Sequence, residues 1–241
     1  MANTQADLVL FLGSRLTLFY IFGNIFNANA KFIQVDIEAE EIGRNRSVDL
    51  GVVSDIKVML AELGRIVEER KIGAKLTKQF GEWVETVRAA DAAGKAQAKP
   101  MWEKEGTPIH PLRLAREIND FMDRDDDIVA ADGGDTSIWM NMTRTMRRPG
   151  HHLESGLFGC LAYGIPAVNA AKLLYPDKRV LLVIGDGSVG FNFMEFHTAI
   201  RNNLPIVVVV ANDTLWGMIA HSQQIRLGHA IKDSTELGMV H

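Results

Sequence analysis

The sequence predicts an α/β protein whose parallel sheets carry helices on both faces. Three observations predict it. The segments Lys31–Ile37, Val180–Ile184 and Ile206–Ala211 are apolar runs without regular polar alternation, as expected of strands covered on both sides. These runs alternate with stretches of helical periodicity, which implies right-handed strand–helix–strand crossovers. A polar stretch rich in Ala, Lys, Gly and Glu separates an early group of such elements from a later one.

In the first block, residues 1–68, Asp7–Leu12 and Lys31–Ile37 read as strands. Ser54 is placed to cap a helix with Ile56, Met59, Leu60, Leu63 and Ile66 on one face. The apolar run Leu16–Phe26 is too short to span a bilayer and follows no basic cluster, so it is expected to be buried structure. Residues 69–107 form a helical and polar linker, helical from Lys75 to Ala93 and then coil around Pro100. The second block, residues 108–241, opens with a helix over Pro111–Met122 and a strand over Asp127–Ala131. It continues with a helix after Glu154-Ser155-Gly156, a strand over Val180–Ile184, a helix over Phe193–Asn203 and a strand over Ile206–Ala211. Both blocks are thus Rossmann-like. The chain starts at a strand with almost no lead-in and stops at His241, so a fragment is expected.

Composition excludes several classes. A net charge of −4 provides no basic field for nucleic acid or an anionic membrane. The single Cys160 cannot form an internal disulfide and, among small and apolar neighbours, is expected to be a buried thiol in a cytoplasmic protein.

The chemistry concentrates in residues 180–217, VLLVIGDGSVGFNFMEFHTAIRNNLPIVVVVANDTLWG. Two buried strands end at Gly185-Asp186-Gly187-Ser188 and at Asn212-Asp213. In a parallel sheet both ends reach the same edge, where ligands bind near helix N-termini. Asp186 and Asp213 should therefore face one cleft. Gly185, Gly187 and Gly190 also spell G-x-G-x-x-G, and Asp213 lies about where a ribose-binding acid would be, so a nicotinamide dinucleotide is one reading. Asp186 argues against it, because a carboxylate inside a pyrophosphate-binding turn costs on the order of several kcal/mol in a partly dry cleft. A divalent cation reverses the sign: magnesium bridges carboxylates to phosphate oxygens. The metal–diphosphate reading is favoured, with a purely structural turn as the third option.

GDGSVGFNFMEFHTAIRNNLPIVVVVAND closely resembles the signature of thiamine-diphosphate-dependent enzymes, a GDG followed some two dozen residues later by an Asn pair. The wider likeness is to the acetolactate synthase and benzaldehyde lyase group, including 2-hydroxyacyl-CoA lyases and oxalyl-CoA decarboxylases. The resemblance implies thiamine diphosphate and Mg2+, the metal held by Asp186, Asp213 and the carbonyl of Leu215. Asp213 stands where the family has Asn; the same oxygen is offered at the same reach, with a charge that should tighten the metal and slightly disfavour the diphosphate.

Asp132-Gly133-Gly134-Asp135-Thr136 resembles the neighbouring diphosphate turn, with Gly134, Asp135 and Thr136 as cofactor contacts beside Gly185, Gly187 and Ser188. GLFGCLAYGIPAVNAA resembles the family's glycine-rich helix, which puts Leu161 at the position that props the cofactor into a bent shape. For each, a plain βα turn or core packing is the alternative.

The first block resembles the end of the family's middle domain. There Gly13, Arg15 and Asp36 would touch FAD or ADP if the layer is not empty. His151 and His152 remain as substrate-side candidates, His197 as packing, and Trp216 and Met218 as cleft walls.

The implied activity is decarboxylation and ligation of 2-keto acids, most like acetolactate synthase, with 2-hydroxyacyl-CoA lyase or oxalyl-CoA decarboxylase chemistry as the alternative. A cofactor-binding paralogue without turnover and a nicotinamide dehydrogenase are readings of other classes. The family's catalytic glutamate sits in a pyrimidine-binding domain that this sequence does not hold. No catalytic side chain is therefore expected here, the chain alone should be inactive, and the full-length form should be a homodimer or homotetramer.

Overall fold

The computed structural model describes residues 2–237. Met1 and residues 238–241, where the sequence ends at His241, lie outside the described residues. The chain divides into two compact units, residues 1–97 and 98–241.

The first unit holds α1 (Ala2–Gln5), β1 (Leu8–Leu12), β2 (Lys31–Asp36), β3 (Leu50–Val53) and α2 (Ile56–Glu69). The strands form a parallel sheet in the order β1-β2-β3. β3 has no counterpart in the sequence reading, because LGVV is short and only one of its residues is partly buried. The core here is aromatic: Phe11, Phe26 and Phe32 are buried against Leu16, and Tyr20 meets Phe11 edge-on with centroids 5.4 Å apart. The run Leu16–Phe26 is only partly the buried segment expected. Its ends are buried, but Leu18, Phe19, Ile21 and Phe22 are exposed along a 3-10 stretch in which Ile21 and Phe22 take φ of +48° and +51°. Asp55, not Ser54, caps α2, accepting from the Val58 amide at 3.1 Å.

α3 (Gly73–Trp102) replaces the expected coil around Pro100 with 30 residues of continuous helix, within which the boundary between the units falls. The physical reason is local. Ala, Lys, Gln and Glu are strong helix formers, and Asp91–Lys95 pairs at 2.8 Å with the spacing that supports a helix.

The second unit runs α4 (Pro111–Phe121), β4 (Ile128–Ala131), α5 (Asp135–Thr143), β5 (His152–Leu153), α6 (Gly164–Leu174), β6 (Val180–Gly185), α7 (Asp186–Phe191), α8 (Glu195–Arg201), β7 (Val207–Ala211), α9 (Gly217–Leu227) and α10 (Lys232–Thr235). Its sheet is parallel throughout, in the order β5-β4-β6-β7. The side-chain alternation explains the unbroken apolar runs. Val129, Ala131, Leu181 and Val183 face a core with Ala115, Ile118, Met122 and Met140 from α4 and its neighbours. Ile128, Ala130, Val180, Leu182 and Ile184 face Ile165, Val168 and Ala171 of α6. Both faces are covered, so every position of β4 and β6 must be apolar.

Two helices differ from expectation. Only a 3-10 turn, Gly156–Phe158, follows Glu154, and the α-helix waits until Gly164. The segment expected as one helix over Phe193–Asn203 starts at Glu195, after a break between α7 and α8. No helix among the described residues is long and apolar enough to cross a membrane.

Candidate active site at the strand ends of the second unit

β4, β6 and β7 run parallel, so Asp132, Asp186 and Asp213 emerge at one edge of the sheet. A cavity of about 280 Å³ opens there. Gly134, Asp135, Thr136, Leu161, Gly185, Asp186, Gly187, Ser188, Asp213 and Leu215 all line it, so the cofactor and metal candidates of the second block share one hollow. Trp216 and Met218 wall it as expected, and Trp139, one helical turn after Asp135, joins them. His151 and His152 do not line it. His152 lies in β5 with its side chain buried, and His151 Nε2 sits 3.3 Å from Lys178 Nζ. His197 lies on α8, also away from the lining.

Asp186 is buried, and both of its oxygens are engaged: Oδ1 accepts from the Gly187 amide at 2.9 Å and Oδ2 from the Thr214 amide at 2.8 Å. The second bond fixes the β7 turn beside the β6 turn and so brings Asp213 next to Asp186. Thr214 takes φ of +60°, a left-handed conformation that only neighbouring contacts hold in place. Those contacts come from the C-terminal segment, where Leu237 donates to the Thr214 carbonyl at 2.8 Å and Trp216 to the Thr235 carbonyl at 2.8 Å. Asp213 Oδ1 accepts from the Leu215 amide at 3.0 Å.

Gly187 must be glycine for a steric reason, since a Cβ there would lie 2.7 Å from the Trp216 ring. At Gly217 an added Cβ would lie 2.9 Å from Asp213 Oδ2 and 3.1 Å from Asp135 Oδ2, so these two carboxylates converge on the same point.

The site is acidic. Burial pushes the Asp213 carboxyl above its usual range; the Leu215 amide opposes this, and the charges of Asp186 and Asp135 add to it. Asp213 stays open to solvent on one side, which tempers the effect by screening. Asp135 Oδ2 is buried without a hydrogen bond; His221 Nδ1 approaches to 2.7 Å as a charge partner but is not aligned as a donor. Among the described residues that line the cavity there is no lysine or arginine. Nor do three His, Cys, Asp or Glu side chains among the described residues converge to hold a metal by themselves. A cation here would take part of its shell from main-chain or phosphate oxygens. Paired carboxylates at adjacent strand ends and the Ser188 amide at the start of α7 fit a divalent cation with a diphosphate.

Two residues differ from their expected setting. The Ser188 hydroxyl is buried and committed, donating to Asp132 Oδ1 at 2.7 Å and accepting from the Ala162 amide at 2.8 Å, so its backbone is what it can offer a phosphate. Cys160 is exposed, not buried, because residues 159–163 form an irregular loop where a packed helix was expected. The sequence offers Asp132 only as the head of the Gly-rich turn and gives His221, one helical turn after Gly217, no role of its own.

In the first unit Gly13 takes φ of +53°, Arg15 Nε pairs with Glu41 at 3.1 Å, and Asp36 accepts from the Glu38 amide at 3.0 Å.

Two family descriptions match the sequence. The C-terminal cofactor-binding domain of thiamine pyrophosphate enzymes matches residues 132–237, and the central domain of the same enzymes matches residues 1–63. A probable acetolactate synthase of Mycobacterium bovis is 30% identical over 227 residues, covering 94% of this chain and 40% of that protein. A 2-hydroxyacyl-CoA lyase 2 of Caenorhabditis elegans is 30% identical over 228 residues, covering 92% of this chain and 35% of that protein. A probable acetolactate synthase large subunit of Methanococcus aeolicus is 28% identical over 235 residues, with 93% and 38% covered. The chain thus spans well under half the length of these relatives. Parallel strand ends that gather a GDG turn, a second acidic turn and a glycine-rich loop around one hollow agree with the match over residues 132–237, and both matches name the same enzymes: the chain belongs to the thiamine pyrophosphate enzyme family and carries parts of its central and cofactor-binding domains.

Proposed function

We propose that the cavity at the ends of β4, β6 and β7 holds the diphosphate of thiamine diphosphate through Mg2+, with Asp186, Asp213 and the Leu215 carbonyl as the protein's ligands. The observation that carries this reading is the charge of the hollow. Three carboxylates line it without a lysine or arginine among the described residues, so a diphosphate enters only with a cation. The Ser188 amide at the start of α7, together with Gly134, Asp135 and Thr136, completes the phosphate side, Gly187 leaves the room beside Trp216 that a side chain would fill, and Leu161 props the cofactor's bent shape. Bound there, the cofactor would supply carbanion chemistry toward carbonyl compounds. The residues of this chain bind the diphosphate, fix the cofactor's shape and narrow the space around it with Trp139, Trp216 and Met218.

The whole protein is read as a 2-keto acid decarboxylating carboligase, most like acetolactate synthase, working as a homo-oligomer. A 2-hydroxyacyl-CoA lyase is the second reading, favoured by a relative of that name at the same 30% identity. We assign residues 1–68 to the central domain, 69–107 to the linker and 108–241 to the cofactor-binding domain. Gly13, Arg15 and Asp36 are engaged within their own unit, which supports a structural layer there over an FAD or ADP site.

Calorimetry with thiamine diphosphate and with NAD, each with and without magnesium, tests the assignment. Magnesium-dependent binding of thiamine diphosphate is expected. Tight binding of NAD that ignores magnesium would replace this reading with the dehydrogenase one.

A further inference from the structure

Asp132 is fully buried, yet no step of the proposed function uses it. Four donors converge on its carboxylate. Oδ1 accepts from the Gly133 amide at 2.7 Å, the Ala162 amide at 2.9 Å and the Ser188 hydroxyl at 2.7 Å. Oδ2 accepts from the Gly164 amide at 2.7 Å. An acceptor-only carboxylate satisfies all four; an amide would turn a donor toward at least one of them.

The donors come from three different segments, and each segment supplies walls of the cavity: residues 133–136 after β4, residues 159–164 leading into α6, which line it through Gly159 and Leu161, and residues 185–188 after β6. Ala162, the residue next to Leu161, takes φ of +67° and is pinned on both sides. Its amide is shared by Asp132 and Ser188, and its carbonyl accepts from Asn192 Nδ2 at 3.0 Å. The packing is close enough that a Cβ on Gly164 would lie 2.8 Å from Asp132 Oδ2, and one on Gly133 2.8 Å from the Gly159 carbonyl.

We propose that Asp132 is a positioning residue for the cofactor: through the Ala162 and Gly164 amides and the Ser188 hydroxyl it fixes Leu161 relative to the diphosphate-binding turn. This rests on the cavity being the thiamine diphosphate site. Asp132 acts through Leu161, and so it should govern how well the site tells thiamine diphosphate from a bare diphosphate, while leaving the phosphate-binding amides in place.

The test uses the full chain with excess magnesium and two probes, thiamine diphosphate and inorganic pyrophosphate, on wild type, Asp132→Asn, Leu161→Ala and the double variant. Each single change is expected to weaken thiamine diphosphate by about tenfold, the worth of one well-placed hydrogen bond or contact, and pyrophosphate by less than about threefold. The double variant should be no weaker than the weaker single, because both act on one element. Additive losses, or equal losses for both probes, would overturn the proposal. Hydrogen exchange gives a readout without cofactor. Faster exchange at Ala162 and Gly164 in Asp132→Asn, with β6 unchanged, supports the positioning role, and unchanged exchange at those two amides overturns it. If Asp132→Asn does not fold, Ser188→Ala removes only the two bonds of its hydroxyl, to Asp132 and from the Ala162 amide, and leaves the carboxylate in place. It should speed exchange at Ala162 and erode the preference for thiamine diphosphate; no effect on either would contradict the role. Wild type that binds neither probe refutes the cofactor assignment, and the exchange result then decides the loop's dependence on Asp132 by itself.

Discussion

Asp213 carries a charge where relatives in this family are expected to have the neutral Asn. Partial burial holds its carboxyl above the usual range, with the charges of Asp186 and Asp135 adding to the effect. That raised value makes the ionised form unfavourable in the folded state, so stability present below the unfolded value is lost as pH rises through the folded one. Asp213→Asn should therefore stabilise the metal-free chain at neutral pH, by less than about 1 kcal/mol because the site is partly solvated, and so raise its melting temperature. The same change should weaken magnesium binding. Thermal melts with and without magnesium check both, and a variant less stable than wild type without metal would contradict the electrostatic origin. The pair Asp186 and Asp213 was legible in the sequence because strand ends of a parallel sheet meet at one edge. Asp132 was not, since burial and four converging donors are properties of three segments brought together, and no local pattern encodes them.

At the scale of elements, caps and edge strands decide. Asp55 accepts from Val58 at the start of α2, so Asp55→Ala should cost about 1 kcal/mol while Ser54→Ala should be close to neutral, a comparison that denaturant unfolding settles. β5 is only two residues long and contains His152, whose imidazole is buried with neither ring nitrogen hydrogen-bonded. Burial holds its pKa below the ordinary value of 6.5, with Arg144 adding to the drop and Glu154, 3.8 Å away, opposing it. A depressed value contributes stability above the unfolded pKa that is lost as pH falls through the folded one. Unfolding curves across pH 7.5 to 5, an interval chosen to span roughly the ordinary histidine range, should show falling stability in wild type and a flatter profile in His152→Leu. An equal slope in both would show that other groups set the acid dependence. Apolar runs located β1, β2, β4, β6 and β7. They do not mark β3, whose four residues are mostly exposed, or β5, whose two residues leave no pattern to count, and Pro100 does not end α3, because helix-forming residues surround it.

For the whole molecule, the second unit is a doubly covered parallel sheet with one hollow at its carboxyl edge, and its chemistry is concentrated in turns. The backbone turns were readable because glycines mark them. The walls were less so: Trp139 and His221 reach the site by the pitch of α5 and α9, and the 159–163 loop departs from helix in a stretch whose glycines suit either state.

The central claim is that a cation must sit between Asp186 and Asp213 before a diphosphate is held. Titration of thiamine diphosphate into the chain and into Asp186→Asn, with magnesium and with chelator, tests it most directly. Binding in wild type that disappears with chelator, together with a loss of about a hundredfold or more in Asp186→Asn, is the expected result. Affinity that is the same with and without magnesium, or that survives in Asp186→Asn, would contradict it.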